Sequence, residues 1–244
     1  MVLARGNNNL PVKCVTLIQQ STLSAYLVRQ DSGINSWKDF EGKTIGDTPG
    51  STGTVLFPYT AKKAGFDASK VTFVPTTPQT GIGLFASGKI DIYAQFVVGL
   101  PTVQSAIGAP LKSFTVASVV PGLMGNCLMV SDSKLANDSD QVKKFVRALL
   151  RGEKYAIDNP GDTGRILNKY VPLADPVLAA KELRIMKRFV QTPDVVKNGY
   201  GYVDPRRWAA AVSIVNNFFH PKTPLKVSDV YAPGFAPNPP IKVK

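Results

Sequence analysis

The chain has 244 residues, of which 44% are hydrophobic and 19% are charged, and its formal net charge is +12. These values are ordinary for a globular protein with one large domain or two smaller lobes. No apolar run is long enough to span a bilayer, so we expect no membrane insertion. No signal peptide is visible at the start, because Met1–Arg5 is followed at once by the polar residues Gly6–Asn9.

The basic residues are dispersed along the chain. The densest cases are the pairs Lys143-Lys144, Lys187-Arg188 and Arg206-Arg207. Nucleic-acid binding would need a basic stripe with interleaved aromatic residues or a known module, and the sequence has neither. We therefore expect no nucleic-acid partner. A dispersed positive charge aids solubility and would steer an anionic ligand towards the protein.

Residues 11–28 predict two apolar strands around the polar patch Gln19–Thr22. Cys14 lies in the first of these strands, and Cys127 lies in a later strand-like stretch. The favoured interpretation is two buried thiols that act as small hydrophobic residues. A single disulfide between them stays open if the compartment is oxidising and the two strands are neighbours.

A β/α unit follows. Residues 43–46 predict a strand, and a helix is expected from about residue 51 to 64, where Gly65 ends it. Pro58 should either kink this helix or mark a later start. The turn at residues 48–54 offers backbone N–H groups, hydroxyls and a helix N-terminus, which together favour a carboxylate, sulfonate or phosphate. A purely structural turn is the alternative interpretation.

The remaining elements alternate and then become mainly helical. Further strands are expected at 71–74, 90–96, 114–119 and 126–130, with helices at 81–87 and 103–107. After Asp138, a long amphipathic helix presents one apolar face formed by Val142, Phe145, Val146, Leu149 and Leu150. Helices at 163–170, 176–189 and 205–219 follow it, and the proline-rich tail from residue 232 is expected to be extended. This order suits two α/β lobes.

The sequence offers little for catalysis. Gly83–Ile90 nearly matches a GxxxxGK[ST] phosphate loop, but Ile90 replaces the hydroxyl residue and the helix precedes the motif, so we reject it. His220 is the only histidine and lies at a predicted helix end, where capping is the favoured role. We expect no catalytic residues, because there is no GxSxG motif and one histidine leaves little room for a triad. Two cysteines and one histidine also make no recognisable zinc site.

Several short stretches together resemble one family. They are SAYLVR at 24–29, DSGI at 31–34, DFEGK at 39–43, PGST at 49–52 and LFASGKID at 84–91. These motifs are similar to those of the substrate-binding proteins of nitrate, sulfonate and taurine ABC transporters. That family shares its domain with the fungal thiamin-pyrimidine synthase. The resemblance covers roughly residues 10–160.

The resemblance implies a type II periplasmic-binding-protein-like α/β fold with two lobes joined by a hinge. Lobe 1 would comprise residues 1–31 and 121–244, and lobe 2 would comprise residues 32–120. Family members normally begin with a β/α segment that has no counterpart at the start of this sequence. The first lobe is therefore expected to be N-terminally incomplete.

The resemblance also implies a ligand site in a cleft between the lobes. Its residues would be Gln20, Ser21, Gly50, Ser51, Thr52, Gly53, Gln79, Gln95 and Asn126. The expected ligand is a small organic anion (sulfonate, taurine, nitrate or carboxylate-like) or a heterocycle. No cofactor and no metal are expected, the partner would be an ABC-transporter permease, and the location would be periplasmic. The alternative is a thiamin-pyrimidine-synthase-like enzyme, but the cysteine-rich motif and active-site histidine of that enzyme are absent here.

Overall fold

A computed structural model describes residues 1–243 of the chain. The strands are β1 (Val12–Leu17), β2 (Ser24–Arg29), β3 (Thr44–Asp47), β4 (Thr72–Pro75), β5 (Ile92–Phe96), β6 (Leu111–Thr115) and β7 (Cys127–Ser131). The α-helices are α1 (Val2–Asn8), α2 (Thr52–Ala64), α3 (Pro78–Ala86), α4 (Leu100–Ile107), α5 (Val116–Val119), α6 (Asp132–Asn137), α7 (Ser139–Asp158), α8 (Pro160–Tyr170), α9 (Pro176–Val190), α10 (Pro193–Asn198), α11 (Pro205–Ile214) and α12 (Val227–Val230). Across residues 1–243, no helix combines the length and the apolar character that crossing a membrane requires.

The chain divides into two compact units. Unit 1 comprises Met1–Thr22, Gly122–Ile166 and the segment from Met186 onward, and unit 2 comprises Leu23–Pro121 and Leu167–Ile185. The sequence placed residues 23–31 in lobe 1, whereas the structure pairs β2 with strands of unit 2. The difference arises because strand pairing between distant segments leaves no local mark in the sequence. The predicted lobe boundaries at 31/32 and 120/121 stay a prediction.

The sheet of unit 2 has five strands in the order β4-β3-β5-β2-β6. Strand β3 runs parallel to β4 and β5, and β2 runs antiparallel to β5 and β6. Ser24, at the start of β2, therefore pairs with Phe96 at the end of β5. The carboxyl ends of β3, β4, β5 and β6 meet at one edge of this sheet, which brings the loops that follow them together.

Both faces of this sheet are covered by apolar side chains. On one face, the buried Tyr26 ring makes edge-to-face contacts with Trp37, Phe40 and Phe57 at centroid distances of 5.6–5.8 Å. Its neighbour in β2, Leu27, packs into a separate cluster with residues that include Phe85, Ile90, Tyr93 and Val103. Successive residues of a strand point to opposite faces, so β2 contributes to both layers of the core.

Unit 1 contains a sheet of two antiparallel strands, β1 and β7. A two-stranded sheet is marginal by itself and needs helices against it. Here Cys14 and Leu17 of β1 pack in a cluster with Trp208 and Val212 of α11. Tyr231 stacks on Trp208 at a centroid distance of 5.4 Å, so the C-terminal region completes this core.

The long helix α7 uses a narrower apolar face than the sequence suggested. Val142, Val146 and Leu150 are buried, as is Ile157 further along the helix. Phe145, predicted to belong to the same face, is 56% exposed. The reason is geometric: residues spaced by four lie along one stripe, and Phe145 projects beside that stripe.

Two other predictions differ in detail. Helix α2 begins at Thr52 and runs through Pro58 to Ala64, so it does not start late, and Gly65 ends it in the left-handed conformation. The strand expected at 114–119 is instead β6, Leu111–Thr115, followed by the single turn of α5. Thr115 is the last residue that pairs with β2, and the chain turns helical once this backbone pairing stops.

Candidate functional site

The centre of the polar site in unit 2 is Asp47, the last residue of β3. Its side chain is only 8% exposed. Oδ1 accepts a hydrogen bond from the Thr48 backbone N–H at 2.7 Å. Oδ2 accepts from the Ser51 hydroxyl at 2.5 Å and from the Thr54 hydroxyl at 2.8 Å. The hydroxyl groups of Ser51 and Thr54, which the sequence predicted would contact a ligand, therefore donate to Asp47 instead.

Backbone N–H groups at the N-terminus of α2 lie next to this carboxylate in the chain, and two of them are unpaired in the part of the chain that the structure describes. The hydroxyl oxygen of Ser51 accepts from the Thr54 N–H at 3.0 Å, which caps one of the free groups. The N–H groups of Thr52 and Gly53 have no hydrogen-bond partner among residues 1–243. Such groups are available to an acceptor on a ligand.

Two glycines make this turn possible. Gly50 has a φ of +76°, which favours glycine over residues with a Cβ. At Gly53, an added Cβ would lie 2.6 Å from Asp47 Oδ2, a distance that forces the carboxylate to move. The carbonyl of Gly53 also accepts a hydrogen bond from the Tyr26 hydroxyl at 3.0 Å, and burial followed by the charge of Asp47 raises the pKa of Tyr26. The hydrogen bond from the buried Tyr26 thus holds the turn against the core of unit 2.

The loop between β4 and α3 lies next to Asp47. The Thr76 N–H donates to the Asp47 backbone carbonyl at 2.9 Å. Thr77 and Thr80 form a reciprocal capping box at the start of α3. Gln79 is in the first turn of that helix and is exposed, so its amide is free to contact a ligand at this edge.

The end of β5 adds an amide and an aromatic ring. The side-chain oxygen of Gln95 accepts from the Phe96 N–H at 2.8 Å. The Phe96 ring is 43% exposed, whereas Ile92, Tyr93 and Ala94 of the same strand are buried. We call the set Asp47–Thr54, Thr76–Thr80 and Gln95–Phe96 the loop edge of unit 2.

A second polar group lies in unit 1 around Gln20. The Gln20 side chain is almost fully buried, donates to the Tyr202 carbonyl at 3.0 Å and accepts from Arg207 at 3.2 Å. Ser21 is half-buried beside Gly125. The backbone of Asn126 bonds to residues 18 and 19, while its side chain is exposed. In this environment Gln20 positions Arg207.

Arg207 is the most notable group that the sequence did not predict. Its guanidinium donates to the side chain and the backbone carbonyl of Gln20 and, at 3.4 Å, to the Gly122 carbonyl. Within residues 1–243 it forms no ion pair, and burial lowers the pKa of this arginine. In the sequence, the adjacent pair Arg206-Arg207 was interpreted as solvated surface. We call Gln20, Gly122 and Arg207 the arginine cluster of unit 1.

Six of the nine predicted site residues fall in the loop edge: Gly50, Ser51, Thr52, Gly53, Gln79 and Gln95. The other three, Gln20, Ser21 and Asn126, belong to unit 1. Their roles in ligand binding stay predictions. Asp47, Thr54 and Phe96 join the loop edge from the structure, and an acidic residue directly after an apolar strand was the available signal for Asp47. The described residues contain no group of three or more His, Cys, Asp or Glu side chains that could hold a metal.

Comparisons with known proteins place this geometry in a fold class. The chain matches the periplasmic aliphatic sulphonate-binding protein SsuA from Escherichia coli with a TM-score of 0.74 at 12% identity, over 96% of this chain and 73% of that one. It matches the desulfurization enzyme DSZB with a TM-score of 0.53 at 14% identity, over 96% of this chain and 80% of that one. The predicted α/β fold of the type II periplasmic-binding-protein class is confirmed.

The family follows from the sequence comparisons. Residues 1–163 match the NMT1/THI5-like family model. The riboflavin-binding protein RibY from Chloroflexus aurantiacus is 25% identical over 242 residues, which cover 97% of this chain and 68% of that protein. The chain belongs to the NMT1/THI5-like family.

Proposed function

We propose that this protein is the solute-binding component of an ABC importer and that the loop edge of unit 2 binds a planar polar heterocycle. Its fold is shared with a sulphonate-binding protein, and its sequence is similar to that of a protein named as riboflavin-binding. Polar groups at the carboxyl edge of a parallel sheet are where α/β proteins commonly hold small ligands. A periplasmic location and a permease partner are part of the same proposal.

The single observation that carries the choice of ligand is the position of Asp47. Its carboxylate already places a negative charge at the N-terminus of α2 and takes the hydroxyl protons of Ser51 and Thr54. A second anion at this helix end would be repelled at short range. A neutral carbonyl oxygen can instead accept from the free N–H groups of Thr52 and Gly53 without that cost.

The other groups of the loop edge fit a flat ring. The exposed Phe96 offers a face on which a heterocycle can stack. Gln79 and Gln95 each carry an amide, which can both donate to and accept from the edge of such a ring. The relative named as a riboflavin-binding protein supports a ligand of this class.

The second candidate ligand is a small organic anion such as a sulfonate, taurine, nitrate or a carboxylate. Arg207 favours it, because this half-buried cation bonds only neutral oxygens and has no carboxylate within ion-pair distance in the described range. An arginine in this state gains most from a ligand that brings a negative charge. The SsuA-like fold supports the same class.

An enzyme of thiamin-pyrimidine synthesis is the remaining alternative. The exposed His220 lies at the end of the helical segment that follows α11, in unit 1, whereas the loop edge belongs to unit 2. That the protein binds its ligand without converting it stays a prediction. Recovery of the ligand unchanged after prolonged incubation would support it, and a new product would overturn it.

The test is a titration of riboflavin, followed by its fluorescence, together with a thermal-shift series that includes uracil, taurine, methanesulfonate and nitrate. A ligand that binds only the native state raises the melting temperature. We expect saturable riboflavin or uracil binding that Phe96→Ala weakens by about 1 kcal/mol, roughly fivefold. The matched control is Phe145→Ala, which removes an exposed ring from α7 and should leave binding unchanged. No response to any heterocycle would overturn the ligand proposal, and no response to either ligand class would overturn the binding function.

A further inference from the structure

The two cysteines are neighbours across the small sheet of unit 1. In the pairing of β1 with β7, Cys14 lies opposite Met129 and Leu17 lies opposite Cys127. Cys127 and Met129 are two residues apart, so their side chains point to the same face. Cys14 and Cys127 are therefore diagonal neighbours on one face of the strand pair.

Their side chains meet within the core. Cys14 is fully buried, and Cys127 is partly buried against the cluster that contains Cys14. Burial, and after it the interaction with the Cys127 thiol, raises the pKa of Cys14, and the interaction with the Cys14 thiol lowers the pKa of Cys127, so the two side chains are close enough to interact. The condition that the sequence left open, namely that the two strands should be neighbours, is met.

We propose that Cys14 and Cys127 form a reversible disulfide that links β1 to β7. The Cα atoms of a diagonal pair are about 7–8 Å apart, slightly more than in most disulfides, so the bond requires a small shift of β1 relative to β7. The pairing of β1 with β7 is irregular between Cys14 and Thr16, which is where such a shift can occur. The bond would close a loop that contains the whole segment Leu23–Pro121 of unit 2. It would also reinforce a sheet that has only two strands.

The chemistry requires an oxidant, and a low-molecular-weight disulfide such as oxidised glutathione supplies it. The more accessible Cys127 attacks as a thiolate, and the hydrogen bond from Cys14 lowers the pKa of Cys127. The first exchange gives a mixed disulfide at Cys127 and releases one glutathione thiol. Cys14 then loses its proton and displaces the second glutathione thiol, so two protein thiols are oxidised and one glutathione disulfide is reduced.

A link of this kind acts mainly on the unfolded chain. Closing a long loop restricts the unfolded ensemble and so raises the stability of the native state. The ligand site does not contain either cysteine, so the inference does not depend on which ligand binds. An oxidising compartment, as proposed above, is where such a bond would persist.

The test uses the full chain, first reduced with dithiothreitol and then equilibrated with oxidised glutathione. Alkylation in denaturant followed by mass spectrometry should find no free thiol, a mass lower by two hydrogen atoms and a peptide that joins Cys14 to Cys127. The oxidised protein should melt at a higher temperature than the reduced protein, and Cys127→Ser should abolish this difference. Two alkylated thiols after oxidation, or a glutathione adduct that persists at Cys127, would overturn the proposal. Since thiol counting needs no variant, the result stands even if Cys127→Ser folds poorly.

Discussion

The two units differ in the hydrogen-bond partners of their least exposed charged side chains. In unit 2, the Asp47 carboxylate accepts hydrogen bonds from three donors of its own loop. In unit 1, Arg207 bonds only neutral oxygens, and Glu153 has no hydrogen-bond partner among the described residues. The Asp47 carboxylate is thus satisfied by groups of its own loop, whereas Arg207 and Glu153 are the charged groups that an added ligand or proton would affect most.

The largest effect is expected from Asp47→Ala, which breaks the complete network. Removing the acceptor leaves the hydroxyls of Ser51 and Thr54 and the Thr48 N–H without their partner. We expect the free energy of unfolding to fall by about 2–4 kcal/mol. Urea unfolding, followed by circular dichroism, measures this change.

The matched control for Asp47 is Asp31→Asn. Asp31 is exposed and faces Arg29 at 3.5 Å, so its replacement should not shift the unfolding midpoint measurably. Equal midpoints for Asp47→Ala and Asp31→Asn would show that the loop-edge network contributes no stability.

The next effect concerns Glu153, a half-buried carboxyl of unit 1. Burial raises the pKa of Glu153 to about 8, and its negative charge also contributes to raising the pKa of Tyr200. The native state therefore keeps a proton that the unfolded state releases near its ordinary pKa of 4.5. Between these two values the free energy of unfolding falls as pH rises, and it levels off above the native pKa.

Glu153→Gln should remove this part of the pH dependence. Each unit of pKa shift corresponds to about 1.4 kcal/mol, and partial exposure of Glu153 reduces the total, so we expect the variant to gain about 1–3 kcal/mol over wild type at about pH 9 and almost nothing at about pH 5. Unfolding curves at both pH values measure the difference. A gain that is the same at the two pH values would mean that Glu153 is ionised in the native protein.

A smaller effect is expected at Gly53, which tests how tightly the loop edge is packed. In Gly53→Ala the new methyl would meet Asp47 Oδ2 at 2.6 Å, so the turn must shift, at a cost of about 1–2 kcal/mol in unfolding free energy. Gly83→Ala is the control within unit 2, because its Cβ meets nothing within 4 Å and Gly83 lies inside α3. The control should be stabilised by about 0.5–1 kcal/mol. If both variants gain stability, the contact with Asp47 does not constrain the turn.

The sequence predicted the turn at Gly50–Gly53, but it did not predict the charged residues Asp47 and Arg207. A strand, a glycine-containing turn and a helix follow one another in the chain, so Gly50–Gly53 could be placed by local pattern alone. Asp47 was not predicted as a site residue, because only the fold shows which hydroxyl groups donate to its carboxylate. Arg207 lies 187 residues from Gln20 in the chain, and no local pattern encodes that contact.

The same limit applied to the fold. The strand at 24–28 was predicted correctly as a strand, but its pairing with β5 and β6 is non-local and could not be derived. Glu153 did have a local signal. It lies three residues after Leu150 and four before Ile157, and both of those side chains are buried, so an acidic residue at this position of α7 indicates a carboxyl that is partly withdrawn from water.

Arg207→Gln should have the smallest effect on stability. It is also the sharpest test of the contrast between Asp47 in unit 2 and Arg207 in unit 1. This change removes a half-buried charge that forms no ion pair within residues 1–243, so the free energy of unfolding should change little. If the arginine cluster binds an anion, the thermal shift caused by taurine, methanesulfonate or nitrate should disappear in this variant. Riboflavin or uracil binding at the loop edge should remain, because Arg207 belongs to the other unit.

Arg206→Gln is the matched control, since Arg206 is exposed and already paired with Asp204 at 2.7 Å. It should keep the full response to anions. An equal loss in both variants would reduce the effect to net charge, because a general electrostatic field does not distinguish adjacent arginines. Loss of the anion-induced thermal shift in Arg207→Gln alone would assign the anion to unit 1. The Asp47 carboxylate, which its own loop satisfies, would then favour a neutral heterocycle in unit 2, and the Arg207 guanidinium, which forms no ion pair within residues 1–243, would favour an anion in unit 1.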